Sequence, residues 1–124
     1  MRISIVGMFV KDLEGAKDFF MECFGAEIHN YYEEDNGFKS YILKFEEGPK
    51  LELMTKPEIV DQKKEPNRTG FVHICLKVES FEKLDEIIAK FKAKGFEILY
   101  EPATVGGKEV RAITFEDNIL EVSA

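Results

Sequence analysis

Three side chains stand out as carriers of chemistry: Glu52, His73 and Glu121. Imidazoles and carboxylates are the groups proteins use to move protons and to bind divalent metals. Each glutamate is flanked by apolar residues, Leu51 and Leu53 around Glu52, Leu120 and Val122 around Glu121. Side chains alternate between the two faces of a strand. A strand that buries its flanking residues against a helix therefore aims its carboxylate the other way. His73 falls in a similar stretch. Val72, Ile74, Leu76 and Val78 make one apolar face, expected to pack on a helix, and Phe71, His73, Cys75 and Lys77 make the opposite one.

Other groups have less support. His29 lies in no such pattern and reads as surface. Cys75, two residues beyond His73, reads as a pocket wall or a core residue rather than a nucleophile. Arg111, on the strand before Glu121, could clamp a substrate anion, the plainer reading being a surface arginine. Gly106-Gly107 lacks the strand-to-helix context of a phosphate loop and reads as a hairpin turn.

The elements that must position these residues follow from the pattern of the chain. Ile3–Val10 is a short β-branched and apolar run, a strand. Asp12 is an N-cap, and Leu13, Ala16, Phe19, Phe20, Cys23 and Phe24 recur at helical spacing until Gly25 stops them. Strands are expected at Glu27–Glu33, Phe38–Phe45 and Lys50–Thr55, with turns at Asp35-Asn36-Gly37 and Glu47-Gly48-Pro49. A polar connector covers 57–70. The pattern then restarts: strand Phe71–Val78, N-cap Ser80, and a helix stripe of Phe81, Leu84, Ile87, Ile88 and Phe91 ended by Gly95. Strands at Phe96–Tyr100, Lys108–Phe115 and Ile119–Ser123 follow, with a turn at Asp117-Asn118.

The restart is an internal repeat. Val10-Lys11-Asp12-Leu13-Glu14 lies over Val78-Glu79-Ser80-Phe81-Glu82 at a shift of 68, Leu51-Glu52-Leu53 over Leu120-Glu121-Val122 at 69, and Gly25 over Gly95 at 70. A near-constant shift through two helix caps and a strand motif marks two copies of one strand–helix–strand–strand–strand module. Glu52 and Glu121 are therefore equivalent positions, and His73 maps back onto Ile5. The repeat gives an α+β reading: two tandem βαβββ modules, about 1–56 and 71–124, in a single domain spanning 1–124, with sheets curled around a shared cavity.

The totals set limits. A chain of 124 residues is one ordinary domain or two very small ones, and a single module of about 60 residues would bury too little surface to be comfortable alone. A net charge of −7 argues against nucleic acid or an anionic membrane as partner, because those need a basic stripe. No apolar run of about 18 residues suggests a membrane span, and Met1-Arg2-Ile3-Ser4-Ile5-Val6 lacks cleavable-signal architecture. Cys23 and Cys75 show no C-x-x-C spacing. They read as two buried, reduced thiols, which fits a cytoplasmic setting.

Val10-Lys11-Asp12-Leu13-Glu14 with Phe19-Phe20, Leu51-Glu52-Leu53-Met54, Gly70-Phe71-Val72-His73-Ile74 and Asp117-Asn118-Ile119-Leu120-Glu121-Val122 resemble, in order and spacing, the signature stretches of the vicinal-oxygen-chelate superfamily. That superfamily includes glyoxalases, bleomycin-resistance proteins and extradiol dioxygenases, and the resemblance is to its glyoxalase I-like branch over the whole chain. It implies a divalent metal, zinc, nickel or manganese, held by one residue from the first and fourth strands of each module. Glu52, His73 and Glu121 keep a ligand at three of those positions. Ile5 stands at the fourth, where it can coordinate nothing, so metal binding is expected to be weak or absent. Without metal, two carboxylates facing one cavity would push one pKa upward, and a protonated His73 would relieve the repulsion.

The resemblance further implies a homodimer and a small-molecule ligand. Two functions fit. One is a metal-assisted lyase or isomerase of the lactoylglutathione lyase type acting on a small carbonyl, with Glu121 as base and Glu52 as the alternative base. The other is a non-catalytic small-molecule or drug-sequestering protein of the bleomycin-resistance type. The first is the leading expectation and the second the alternative, which draws its support from the missing ligand at Ile5 and the apolar lining expected from Phe9 and Phe71. The expected pocket residues are Ile5, Phe9, Phe71, Cys75 and Arg111. An extradiol dioxygenase is disfavoured, since its iron site needs two histidines where this chain offers only His73.

Overall fold

The computed structural model describes residues 1–61, 63–101 and 109–124. The chain divides into two units, Met1–Asp61 and Gln62–Ala124. Each contains one strand–helix–strand–strand–strand module, so the fold is α+β with two tandem βαβββ modules.

In the first unit β1 (Ile5–Phe9) is followed by α1 (Leu13–Phe24), β2 (Glu27–Glu33), β3 (Lys39–Lys44) and β4 (Lys50–Thr55). The sheet order is β1-β4-β3-β2, with β1 parallel to β4 and the other pairs antiparallel. Asp12 starts α1 as expected, its carboxylate accepting the Gly15 N–H at 2.9 Å. Gly25 ends it in the left-handed region (φ 66°), donating its N–H to the Met21 carbonyl at 3.1 Å, a geometry that spares glycine the Cβ penalty. The helix stripe Leu13, Ala16, Phe19, Phe20 and Cys23 is buried, as are Leu43, Leu51 and Leu53 of the sheet.

The second unit repeats the plan: β5 (Ile74–Lys77), α2 (Phe81–Ala93), β6 (Glu97–Tyr100), β7 (Glu109–Ile113) and β8 (Ile119–Ser123), in sheet order β5-β8-β7-β6. Again the first strand is parallel to the last. Ser80 caps α2 by accepting from the Lys83 N–H at 3.1 Å. Leu84, Ile87, Ile88 and Phe91 bury the helix, and Val110, Ala112, Leu120 and Val122 bury the sheet.

Several expectations change. Strand Phe71–Val78 shrinks to Ile74–Lys77, leaving His73 one residue before the strand. Val72, expected against the helix, is 63% exposed, because the chain before Ile74 has no ladder to fix its alternation. Phe81 opens α2 and is exposed, since a first-turn residue need not share the buried stripe. Cys75 is exposed, and only Cys23 is buried. Ile3–Val10 and Phe38–Phe45 lose residues at their ends, and Lys108–Phe115 becomes Glu109–Ile113. Lys108 and the Gly106-Gly107 turn lie outside the described residues.

The turn into β8 is a short 3₁₀ segment, Phe115–Asp117, in which Glu116 (φ 55°) and Asp117 (φ 60°) both adopt left-handed backbone. Two consecutive non-glycine residues there cost of order 1–2 kcal/mol each. The turn is held from two sides. Thr114 donates its N–H to the Asn118 carbonyl at 2.7 Å. Lys64, from the connector, donates its N–H to the Asp117 carboxylate and its ammonium to the Asp117 carbonyl (3.2 Å) and Asn118 Oδ1 (2.8 Å).

Candidate functional site on the off-helix sheet faces

Each glutamate sits on the middle strand pair of its sheet and faces away from the helix. Glu52 is half-buried between the buried Leu51 and Leu53, and Glu121 between the buried Leu120 and Val122. The ladders fix their neighbours. Glu52 lies across from Gly7 on β1 and Ile42 on β3, and Glu121 across from Cys75 on β5 and Arg111 on β7. These are equivalent registers, so the two halves can be compared residue by residue.

On the first sheet the Glu52 face is largely apolar. Phe9 pairs with Met54, and Ile5 lies two residues before Gly7 on the same face of β1. Ile5 is 43% and Phe9 51% exposed, and the Lys56 ammonium lies 5.1 Å from the Phe9 ring centroid. Gly7 leaves room for Met54, whose methyl would lie 2.9 Å from a Cβ built there. Glu52 accepts a hydrogen bond from the fully buried Ser40 hydroxyl at 3.0 Å.

On the second sheet the face is polar. Arg111 donates from both Nε (3.0 Å) and Nη2 to the single oxygen Oε2 of Glu121. His73 Nε2 lies 3.7 Å from that same oxygen. Cys75 Sγ lies 3.9 Å from the Ser123 hydroxyl. The structure thus brings His73, Cys75, Arg111 and Glu121 together. Phe71 is 99% exposed and His29 is exposed.

At Glu121 the shift is downward. The Arg111 hydrogen bonds hold the Glu121 carboxyl below the usual range. They outweigh the opposing effect of burial, with smaller contributions from the Cys75 thiol and His73. Glu121 in turn raises the Arg111 guanidinium, and burial pushes the Cys75 thiol up. Sequence reasoning left Arg111 between clamp and surface and did not see it as the partner of Glu121. Part of the signal was available. Val110 and Ala112 flank Arg111 as Leu120 and Val122 flank Glu121, so alternation alone puts both charges on the off-helix face, while the register that sets them directly opposite comes from the longer Thr114–Asn118 connection. Ser40 and Lys64 carried no comparable signal.

Within either unit, no group of three or more His, Cys, Asp or Glu side chains among the described residues is placed to share a metal ion. His73 and Glu121 supply two donors, but the Glu121 oxygen nearest the imidazole already accepts two hydrogen bonds from a guanidinium. A divalent ion there would sit beside a fixed positive charge. As arranged, these residues do not fit a metal.

The sequence profile of the Glyoxalase/Bleomycin resistance protein/Dioxygenase superfamily matches residues 2–118, and the chain belongs to that superfamily. Solved structures share its fold. A trypanothione-dependent glyoxalase I of Leishmania major aligns over 99% of this chain and 86% of its own, at TM-score 0.80 and 18% identity. A glyoxylase/bleomycin resistance protein/dioxygenase domain from a Frankia species aligns over 99% and 96%, at TM-score 0.79 and 17% identity. A mutant of the fosfomycin resistance protein FosX of Listeria monocytogenes, complexed with Mn(II) and a dihydroxypropylphosphonic acid, aligns over 98% and 90%, at TM-score 0.72 and 23% identity. No curated protein matches the chain by sequence. Among the described residues no helix is long and apolar enough to cross a membrane.

Proposed function

We propose that the chain is a small-molecule-binding member of its superfamily, of the sequestering rather than the metal-assisted type. Its site is the off-helix face of the second sheet, and its ligand carries a carbonyl or anionic group. One observation carries this reading: the guanidinium of Arg111 sits on Glu121. A carboxylate held below its usual pKa range by an arginine is a poor general base near neutral pH, where catalysis wants a pKa close to the working pH. The fork that holds Glu121 has N–H donors to spare, since a guanidinium carries five in a fixed plane. His73, half-exposed beside it, adds a hydrogen-bonding edge. A homodimer in the cytoplasm is part of the same proposal, checked by light scattering and by fractionation.

A second reading is favoured by the 3.7 Å approach of His73 to Glu121. It is a glyoxalase-type lyase or isomerase using zinc, nickel or manganese with Glu52 as third ligand, and it requires Arg111 to release Glu121. The two readings separate in one set of measurements. Small carboxylates, phosphonates and 2-oxo thioesters are screened by ligand-observed NMR, and α-proton exchange with solvent deuterium is followed using methylglyoxal–glutathione hemithioacetal. Binding weakened about tenfold by Arg111→Ala, the worth of one charge-assisted hydrogen bond, with no exchange, is the expected result. Metal-stimulated exchange abolished by Glu121→Gln overturns it in favour of the lyase.

A further inference from the structure

We propose that Arg111 is the resident cation of this site: its guanidinium takes the charge-neutralising role that a divalent ion would otherwise fill and closes the His73–Glu121 pair to metals. Removing it should open a latent metal site.

Three observations carry this. The first is occupancy of lone pairs. A carboxylate oxygen has two, and Glu121 Oε2 accepts from both Nε and Nη2 of Arg111, so the oxygen facing His73 has none left for a metal. The second is that the fold does not impose the cation. At the equivalent register of the first sheet, opposite Glu52, stands Ile42, and there a neutral Ser40 hydroxyl partners the carboxylate. The half with an imidazole beside its glutamate is the half with the guanidinium. The third is placement. Arg111 is anchored by the ladder between β7 and β8, directly across from Glu121, so it is held on the carboxylate rather than swept past it.

The inference shares its geometry with the ligand-binding reading, yet the two fail separately: one is read by organic ligands, the other by inorganic ions. The experiment is calorimetric titration of the full chain, stripped of metal, with zinc, nickel and manganese chlorides. Arg111→Gln and Arg111→Leu should bind at least one ion about tenfold or more tightly than the wild type, because a like charge at contact distance is gone. Arg111→Lys, which keeps the charge, should stay near the wild type. Adding His73→Ala to Arg111→Gln should erase the gain, assigning it to this site. Circular dichroism shows whether each variant is folded. The wild type supplies an independent arm, in which the His73 ring signals should not broaden selectively when Mn²⁺ is added. Equal metal affinity in wild type and Arg111→Gln, a gain that survives His73→Ala, or selective broadening of His73 in the wild type would each overturn the proposal.

Discussion

The two halves of this chain carry the same backbone plan and opposite chemistry. In both, a glutamate on the last strand lies across from the first strand on one side and the third strand on the other, at matching register. In the first half its surroundings are Ile5, Gly7, Ile42 and Ser40. In the second the equivalent positions hold His73, Cys75, Arg111 and Glu109. The core positions, by contrast, stay alike: Leu51 and Leu53 in one half, Leu120 and Val122 in the other, all buried. The lesson is that the helix side of each sheet is fixed by packing, which tolerates few residue types, while the other side is free to diverge. A repeat therefore predicts where a site residue stands better than what surrounds it.

That comparison can be tested from its strongest term downward. Leu51→Ala and Leu120→Ala remove equivalent core side chains, 4% and 0% exposed, and should each cost about 2–5 kcal/mol in denaturant unfolding. Costs that differ by more than that range would show that the two cores are not equivalent.

Ile5→His would copy the imidazole of the second half into the first, where Ile42 rather than an arginine faces the glutamate. It should tighten binding of zinc or nickel about tenfold, about 1.4 kcal/mol, in the same titration used for Arg111. Unchanged affinity would show that residue 5 does not serve the Glu52 face.

Smaller effects follow. Ser40→Ala deletes the hydrogen bond to Glu52 and should cost about 0.5–1.5 kcal/mol. Gly25→Ala and Gly95→Ala place a Cβ in open space at φ 66° and 75°, so backbone strain alone should cost each about 1 kcal/mol, equally in the two halves. Thermal melts distinguish this from an unequal pair, which would mean that only one helix end depends on its left-handed residue.

The smallest effect concerns acid. Glu121 has a folded pKa below its ordinary value of 4.5, so the unfolded chain binds that proton more tightly. Its stabilisation is full above the ordinary value and is lost as pH falls through the depressed folded one. The partner Arg111 is about one-third exposed, so screening holds the amount to under about 1 kcal/mol. The stability gap between wild type and Glu121→Gln should shrink as the pH is lowered from about 6 to about 3. A gap that widens on acidification would reverse the sign of the Arg111–Glu121 interaction.

Much of this was legible in the residues. The caps Asp12 and Ser80, the helix stripes, the terminators Gly25 and Gly95 and the alternation around Glu52 and Glu121 each rest on local periodicity or backbone preference, which neighbours in sequence express directly. Strands Glu27–Glu33 and Lys50–Thr55 keep their expected ends because turn residues bound them on both sides, and Ile119–Ser123 starts where the Asp117-Asn118 turn ends. Phe71–Val78 did not, because apolar alternation continues past the point where β8 stops offering a partner, and a strand extends only as far as its ladder. The site divides the same way. That Glu52 and Glu121 face away from the helix was written in the sequence by the two-residue period. That Glu121 is held by Arg111 and approached by His73 required residues 10 and 48 positions distant to be set in register. The charge state of a carboxylate depends on such neighbours, and only the folded sheet chooses them.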